Sequence, residues 1–416
     1  MQTRSRRPKL SPYMTSQTQK KILSRRASEA EESVTLAITA KANQMREQGI
    51  DVISFSAGEP DFDTPEHIKK AANDALAKGQ TKYTPASGLP ALRKAIAAKF
   101  QKDNGLTYDP SQIVVSCGAK HSLYNIMQAI LEEGDEAIIP APYWVSYPAM
   151  VKCTGATPVI VDTQEKNGLK MTAQELREKI TDRTKCLILC SPSNPTGMVY
   201  SEAELKAVAE VCLEKDILVI SDEIYEKLVF GVPFSSIATV APKLRDKVVV
   251  VNGASKAYAM TGWRIGYAAG PKDIMTAVGR MQSQSTSNAT SIAQYATIAA
   301  LEGDQGCVEK MRVEYAKRRD YIVGRLRKIP GVTCGEPQGA FYVFPNVSAL
   351  YGKKYQGKAI TGSVAMAETL LEKAHIATVP GSGFGADDYI RLSYATSMEK
   401  IEKGLDRLEK FVKELS

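Results

Sequence analysis

The sequence has no apolar run approaching the eighteen or so residues needed to span a bilayer, and no apolar segment follows its basic start. Nothing in it therefore reads as a membrane span or a secretory leader. Histidine is scarce, with 3 in 416 residues. The 7 cysteines (Cys117, Cys153, Cys186, Cys190, Cys212, Cys307, Cys334) are scattered, odd in number and never spaced as CxxC. This argues against both a disulfide framework and a zinc site. Cys186 and Cys190 lie on one strand-like run, where burial on a common face is the simpler reading. No GxxxxGK[ST] sequence occurs, which excludes the phosphate loop of an NTPase of that type. Internal repeats and low-complexity linkers are lacking too. The expected location is the cytoplasm.

What charge excess there is, a formal +8, sits at one end. Arg4, Arg6, Arg7, Lys9, Lys20, Lys21, Arg25 and Arg26 fall within residues 1–26, which hold no acid; the 46 Lys and Arg beyond them balance 46 Asp and Glu. The body is neutral, so a nucleic-acid or membrane partner would have to rest on a short tail, and residues 1–25 read as a disordered basic tail. Neither partner is expected.

A chain of 416 residues is too long for one small core, so one large and one small domain is the natural expectation. Apolar runs at Ile113–Ser116, Glu136–Ile139, Thr157–Val161, Cys186–Leu189, Ile217–Ile220, Val248–Val251 and Ile265–Ala269 predict seven strands, alternating in large part with helical stretches such as Leu123–Leu131, Ala173–Ile180 and Glu202–Leu213. Continuous apolar strands between helices belong to a mostly parallel sheet covered on both faces, so the fold class is α/β, with a seven-stranded sheet. Helices are predicted near Val34–Gln48, Pro65–Ala77 and Leu89–Lys102 before that region, and near Pro271–Gln284, Ala289–Leu301 and Cys307–Lys328 at its end. The remainder, with strands near Ala340–Phe344, Ile376–Val379 and Tyr389–Ser393, reads as a smaller α+β domain.

Open α/β sheets bind ligands beyond the carboxyl ends of their strands, so the residues just past each strand are the candidates. After Val248–Val251 come Ser255, Lys256 and Arg264. An amine placed there can form a Schiff base with an aldehyde once desolvation or a neighbouring cation lowers its pKa, and the hydroxyl and the forked guanidinium suit a phosphate. An ordinary lysine in a polar loop remains the alternative. Gly118, Ala119 and Lys120 open a helix whose N–H groups can receive a phosphate. Asn194 lies between Pro192 and Pro195, which makes either a rigid turn or a preorganised hydrogen-bond donor. Asp222, at the end of a buried strand, needs a partner such as a protonated heteroaromatic nitrogen, or else is a helix N-cap. Tyr225 follows within reach of the same ligand. Trp144 offers a ring face for stacking, or is core. Arg391, on an otherwise mostly apolar strand, needs an anion.

The combination of Ser191–Gly197, Ser221–Tyr225, Ser255 and Lys256 with Arg264, and Arg391 resembles the class I/II, fold-type I aminotransferases that depend on pyridoxal 5′-phosphate. Ala57–Pro65, Lys82–Gly88, Gly118–Lys120, Pro142–Tyr147 and Ala259–Gly266 are similar to the bacterial subgroup that holds aspartate and glutamate/aspartate–prephenate aminotransferases. The resemblance covers roughly residues 25–416. It implies that Lys256 is the Schiff-base lysine and proton carrier, and that Asp222 keeps the pyridinium nitrogen protonated. Tyr225 and Asn194 would contact the phenolic oxygen, and Trp144 would stack on the ring. Gly118, Ala119, Ser255 and Arg264 would bind the phosphate, joined by Tyr83 from the other subunit of a homodimer. Arg391, with Asn194 and the backbone of Gly58, would take the substrate α-carboxylate. Lys120, at the edge of the cofactor pocket, would reach the distal carboxylate of a dicarboxylate. The resemblance also implies the domain boundaries, 60–310 for the large domain, and 26–59 with 311–416 for the small one. No metal is required. The implied reaction is ping-pong transamination between L-aspartate or L-glutamate and 2-oxoglutarate or oxaloacetate, with prephenate a further acceptor. The alternatives are an aminotransferase for neutral or aromatic amino acids and a regulator that keeps the fold. For the latter, the basic tail is too short to be a helix-turn-helix domain.

Overall fold

The structure is a computed structural model that describes residues 22–29 and 34–416. Most of the stretch read as a disordered tail thus lies outside the described residues. Its last residue, Arg25, begins a short helix, Arg25–Glu29.

Seven strands form the central sheet: β1 (Ile113–Ser116), β2 (Glu136–Ala141), β3 (Thr157–Asp162), β4 (Thr184–Cys190), β5 (Leu218–Asp222), β6 (Val248–Gly253) and β7 (Gly266–Ala269). Their order is β1-β7-β6-β5-β4-β2-β3, and only β7 runs antiparallel to its neighbours. Alternate side chains on each apolar strand feed two separate cores, as the two-residue pleat requires. Val115, Leu187, Val219 and Val250 meet the helices Pro90–Asn104 and Glu202–Glu214 on one face. Val114, Ile188, Ile220 and Val251 meet Ala119–Ile130 and Lys272–Ser285 on the other. Cys186 and Cys190 share that second face, and all seven cysteines are free.

The helices start where their chemistry allows. Ser201 and Glu204 close a capping box at the head of Glu202–Glu214, and Thr172 and Glu175 do the same for Ala173–Lys179. Pro90 opens Pro90–Asn104, whose end is Gly105 at φ 66°.

The remaining elements surround a third core. Val379–Pro380, Ile390–Ser393 and Tyr342–Val343 form an antiparallel sheet, Ile53–Ser54 pairs with Ile376–Ala377, and Gly306–Leu326 and Met398–Lys413 cover them. No helix among the described residues is long and apolar enough to cross a membrane.

Two local readings need correction. The strand predicted to end at Ile220 runs on to Asp222, because Cys190 and Val251 pair with that residue on either side. A helix unforeseen in the sequence spans Ser146–Thr154. It carries Pro148, which reads as a breaker but falls in the first turn, where an N–H would have no helical partner anyway.

Candidate active site

The carboxyl ends of β1, β4, β5 and β6 open onto one cavity of about 430 Å³. Beyond β1 the chain turns at Gly118, whose φ is 88°. A Cβ there would lie 2.3 Å from Arg264 Nη2, so only glycine lets the guanidinium approach the start of the helix Ala119–Ile130. Arg264 itself sits at φ 57°, and its nitrogens donate to Thr261 O (2.8 Å) and Cys117 O (3.3 Å). The loop carrying it is clamped: Thr64 Oγ1 donates to Ala259 O (2.7 Å) and accepts from Trp263 Nε1 (2.9 Å). Helix start, guanidinium and Ser255 therefore converge on a cradle for an anion such as phosphate.

On the cavity floor lies Asp222, buried at the end of β5. Tyr147 donates its phenol proton to Oδ2 at 2.6 Å, and Ile224 N donates to Oδ1 at 3.3 Å. Burial raises the carboxyl pKa, and these two donors with the Lys256 charge pull it back. The N-cap alternative fails, because turns rather than a helix follow Asp222. Lys256, past the end of β6, donates to Gly58 O. Burial lowers its pKa to about 8, opposed by Glu59 and assisted by Arg391 and Arg264. It is thus an amine that is reactive near neutrality. Tyr225, also buried, has its hydroxyl 2.8 Å from that of Tyr342.

Arg391 comes from strand Ile390–Ser393 of the smaller sheet. Its guanidinium is stacked between the rings of Tyr342 (4.5 Å) and Phe384 (5.1 Å), and donates to Asn194 Oδ1 (3.0 Å) and Ser56 O (2.8 Å). Its Nε is buried without a partner. Among the described residues Arg391 joins no ion pair, so the guanidinium is a buried cation without a counter-charge in the protein, and it lines the cavity. Asn194 lines the cavity with its side-chain oxygen engaged by Arg391. At the rim, Lys120 holds its ammonium 4.8 Å from the Trp144 ring centre, and partial burial with the Arg264 charge lowers its pKa.

Of the residues singled out in the sequence, Gly58, Ala119, Lys120, Trp144, Asn194, Asp222, Tyr225, Ser255, Lys256, Arg264 and Arg391 all line this cavity. Gly118 shapes its edge, whereas Tyr83 is 91% exposed and stands outside it. Among the lining residues that the sequence does not single out are Tyr147, Tyr342, Thr39, which lies 3.1 Å from Ser56 Oγ, and Glu59, which accepts from Thr261 Oγ1. Tyr147 was within reach of sequence reasoning, since it lies three residues past Trp144. Thr39 and Tyr342 arrive from distant segments.

The donor set fits pyridoxal phosphate. The Gly118 cradle suits its phosphate, buried Asp222 can hold a protonated ring nitrogen, and the depressed Lys256 amine suits its aldehyde. The buried Nε of Arg391, a donor with no partner in the protein, suits a carboxylate.

Comparison with known proteins agrees. The model of the family described as aminotransferase class I and II matches residues 50–408. An aspartate aminotransferase of Geobacillus stearothermophilus is 52% identical over 394 residues, covering 94% of this chain and 98% of its own. An aspartate/prephenate aminotransferase of Cereibacter sphaeroides is 49% identical over 387 residues, covering 92% and 97%. The crystal structure of the aspartate aminotransferase from Rhizobium meliloti superposes with a TM-score of 0.92 at 44% identity, covering 95% of this chain and 99% of that one. With the matched segment spanning every cavity-lining position but Thr39, the chain belongs to the class I and II aminotransferases, pyridoxal-phosphate-dependent enzymes of fold type I, in the subgroup of the aspartate and aspartate/prephenate aminotransferases.

Proposed function

We propose that the protein transfers the amino group between L-aspartate or L-glutamate and 2-oxoglutarate or oxaloacetate, with prephenate as a further acceptor. The observation that carries this reading is a pair of cations, Arg391 and Lys120, that line one cavity and belong to no ion pair among the described residues. Two cations around one reactive amine suit a substrate with two carboxylates.

Pyridoxal phosphate, when bound, supplies an aldehyde carbon for the amino group and a ring that draws off the electron pair left on the substrate Cα. Gly118, Ala119, Ser255 and Arg264 would hold the phosphate, with Tyr83 of the partner subunit. Asp222 would hold the proton of the ring nitrogen, Trp144 would offer its ring face for stacking, and Tyr225 and Asn194 would hydrogen-bond the phenolic oxygen. Arg391 fixes the α-carboxylate, with Asn194 and the Gly58 backbone, and Lys120 takes the distal carboxylate. Cα would thereby be presented to Lys256 Nζ, which would carry its proton to the cofactor's former aldehyde carbon and, in the second half-reaction, back to the Cα of the acceptor. A pKa of about 8 suits that alternation near neutrality. The donor leaves as an oxo acid before the acceptor enters, so the kinetics are ping-pong.

The reading includes a cytoplasmic homodimer with a large domain at 60–310 and a small domain from 26–59 and 311–416. Support comes from the free cysteines and from Tyr83, an aromatic side chain left 91% exposed by one protomer. The test is Lys256→Ala. The variant should fold and dimerise yet lose transamination and the visible absorbance of the lysine-bound cofactor. Turnover at the wild-type rate would overturn the assignment.

A further inference from the structure

Tyr342 stands where the two halves of the site meet. Its strand pairs with Ile390–Ser393 in the register Ser393↔Tyr342, and residues two apart on a strand share a face, so Tyr342 and Arg391 are diagonal neighbours. The guanidinium therefore lies 4.5 Å from the Tyr342 ring centre. At its other end the Tyr342 hydroxyl is 2.8 Å from that of Tyr225, with the two rings edge-on and 5.8 Å apart. Both phenols are buried. The slot around the hydroxyl is narrow, since a Cβ on Gly58 would come within 3.1 Å of it.

Two touching hydroxyls must divide their roles, one donating and one accepting. The more acidic phenol is the better donor. Burial raises the pKa of both, but Arg391 against the Tyr342 ring is the first influence that lowers it there, whereas at Tyr225 that charge is only the last and smallest. With the Arg391 charge 4.5 Å from the Tyr342 ring centre, Tyr342 is favoured as the donor, which leaves the Tyr225 proton free to point elsewhere.

We propose that Tyr342 is a positioning residue: its hydroxyl donates to Tyr225 and so leaves the Tyr225 proton for the cofactor's phenolic oxygen, while its ring forms the seat of Arg391. The inference rests on the roles given above to Tyr225 and Arg391. A donor on the phenolic oxygen stabilises its negative charge and weakens its hold on the proton at Lys256 Nζ. The lysine–cofactor link then loses that proton at a lower pH.

The experiment is a spectral pH titration of the holoenzyme, with succinate affinity measured by the same absorbance. Tyr225→Phe serves as the reference and should raise the spectral pKa by about one unit. Tyr342→Phe keeps the ring and loses only the hydroxyl. It should raise the spectral pKa by about half a unit, the effect of weakening one hydrogen bond, and leave succinate affinity within about threefold. Tyr342→Leu removes the seat as well and should weaken succinate binding roughly tenfold. A shift in Tyr225→Phe with none in Tyr342→Phe overturns this inference alone, as does wild-type succinate affinity in Tyr342→Leu. No shift in either Phe variant overturns the role of Tyr225 and the inference with it.

Discussion

Asp222 is where burial and charge oppose each other most directly. A carboxylate sealed at the end of β5 would cost several kcal/mol without a partner, and Tyr147 and the Ile224 N–H meet only part of that demand. In the proposed role the rest comes from a protonated ring nitrogen. Asp222→Ala should therefore still bind the cofactor but lower kcat by more than about a hundredfold. A loss below about tenfold, or 1.4 kcal/mol of barrier, would mean that Asp222 serves only the local turn. Lys120 poses the opposite question, because a lysine at the head of the helix Ala119–Ile130 opposes the helix dipole by roughly 0.3–1 kcal/mol. A use for its charge explains that placement. Lys120→Ala should cost about 1.5–3 kcal/mol in kcat/KM for aspartate and glutamate, or roughly ten- to a hundredfold, and little for alanine or phenylalanine. Equal losses with charged and neutral donors would assign Lys120 to the phosphate or the fold instead.

Among the elements, the Ala259–Gly266 loop shows how a site far from a residue can depend on it. Ala259 (φ 50°) and Arg264 (φ 57°) both lie in the left-handed region, which costs of order 1 kcal/mol or more for residues with a side chain. Thr64 holds this loop through its bonds to Ala259 O and Trp263 Nε1. Thr64→Val should raise the cofactor dissociation constant about tenfold, whereas Thr64→Ser should restore it; equal affinity in wild type and Val variant would show that the loop holds its shape unaided. The sheet and its strand-end residues were legible because buried parallel strands are long apolar runs and chemistry collects at one end of them. Where pairing rather than composition decides, legibility fell away. Ser221 and Asp222 lie past the predicted strand end at Ile220 but are pinned into β5 by neighbours on both sides, and the strand expected near Ala340–Phe344 is confined to Tyr342–Val343, where Ser393 and Leu392 pair with it. Pro148 hid the helix that carries Tyr147, so the hydrogen bond to Asp222 was invisible until the helix was built.

At the scale of the whole molecule, two hydrogen-bonding partners of Arg391 come from different parts of the fold. Asn194 follows β4 of the central sheet, and Ser56 follows the short strand Ile53–Ser54, which pairs with Ile376–Ala377. An anion bound there would draw the two parts together and exclude water from Lys256, as closing lids commonly do. Lys120, a further cation lining the cavity, stands at its rim. That arrangement ties the overall architecture to one substrate class, amino acids with a second carboxylate. The half-reaction of the loaded wild-type protein tests this most directly, by following the cofactor's absorbance after adding one amino donor and no oxo acid. Aspartate and glutamate should convert the lysine-bound cofactor to its amine form at least about tenfold more efficiently than alanine or phenylalanine, matching about 1.4 kcal/mol or more from the second carboxylate. Conversion as fast with alanine or phenylalanine, or none with any donor, would contradict it.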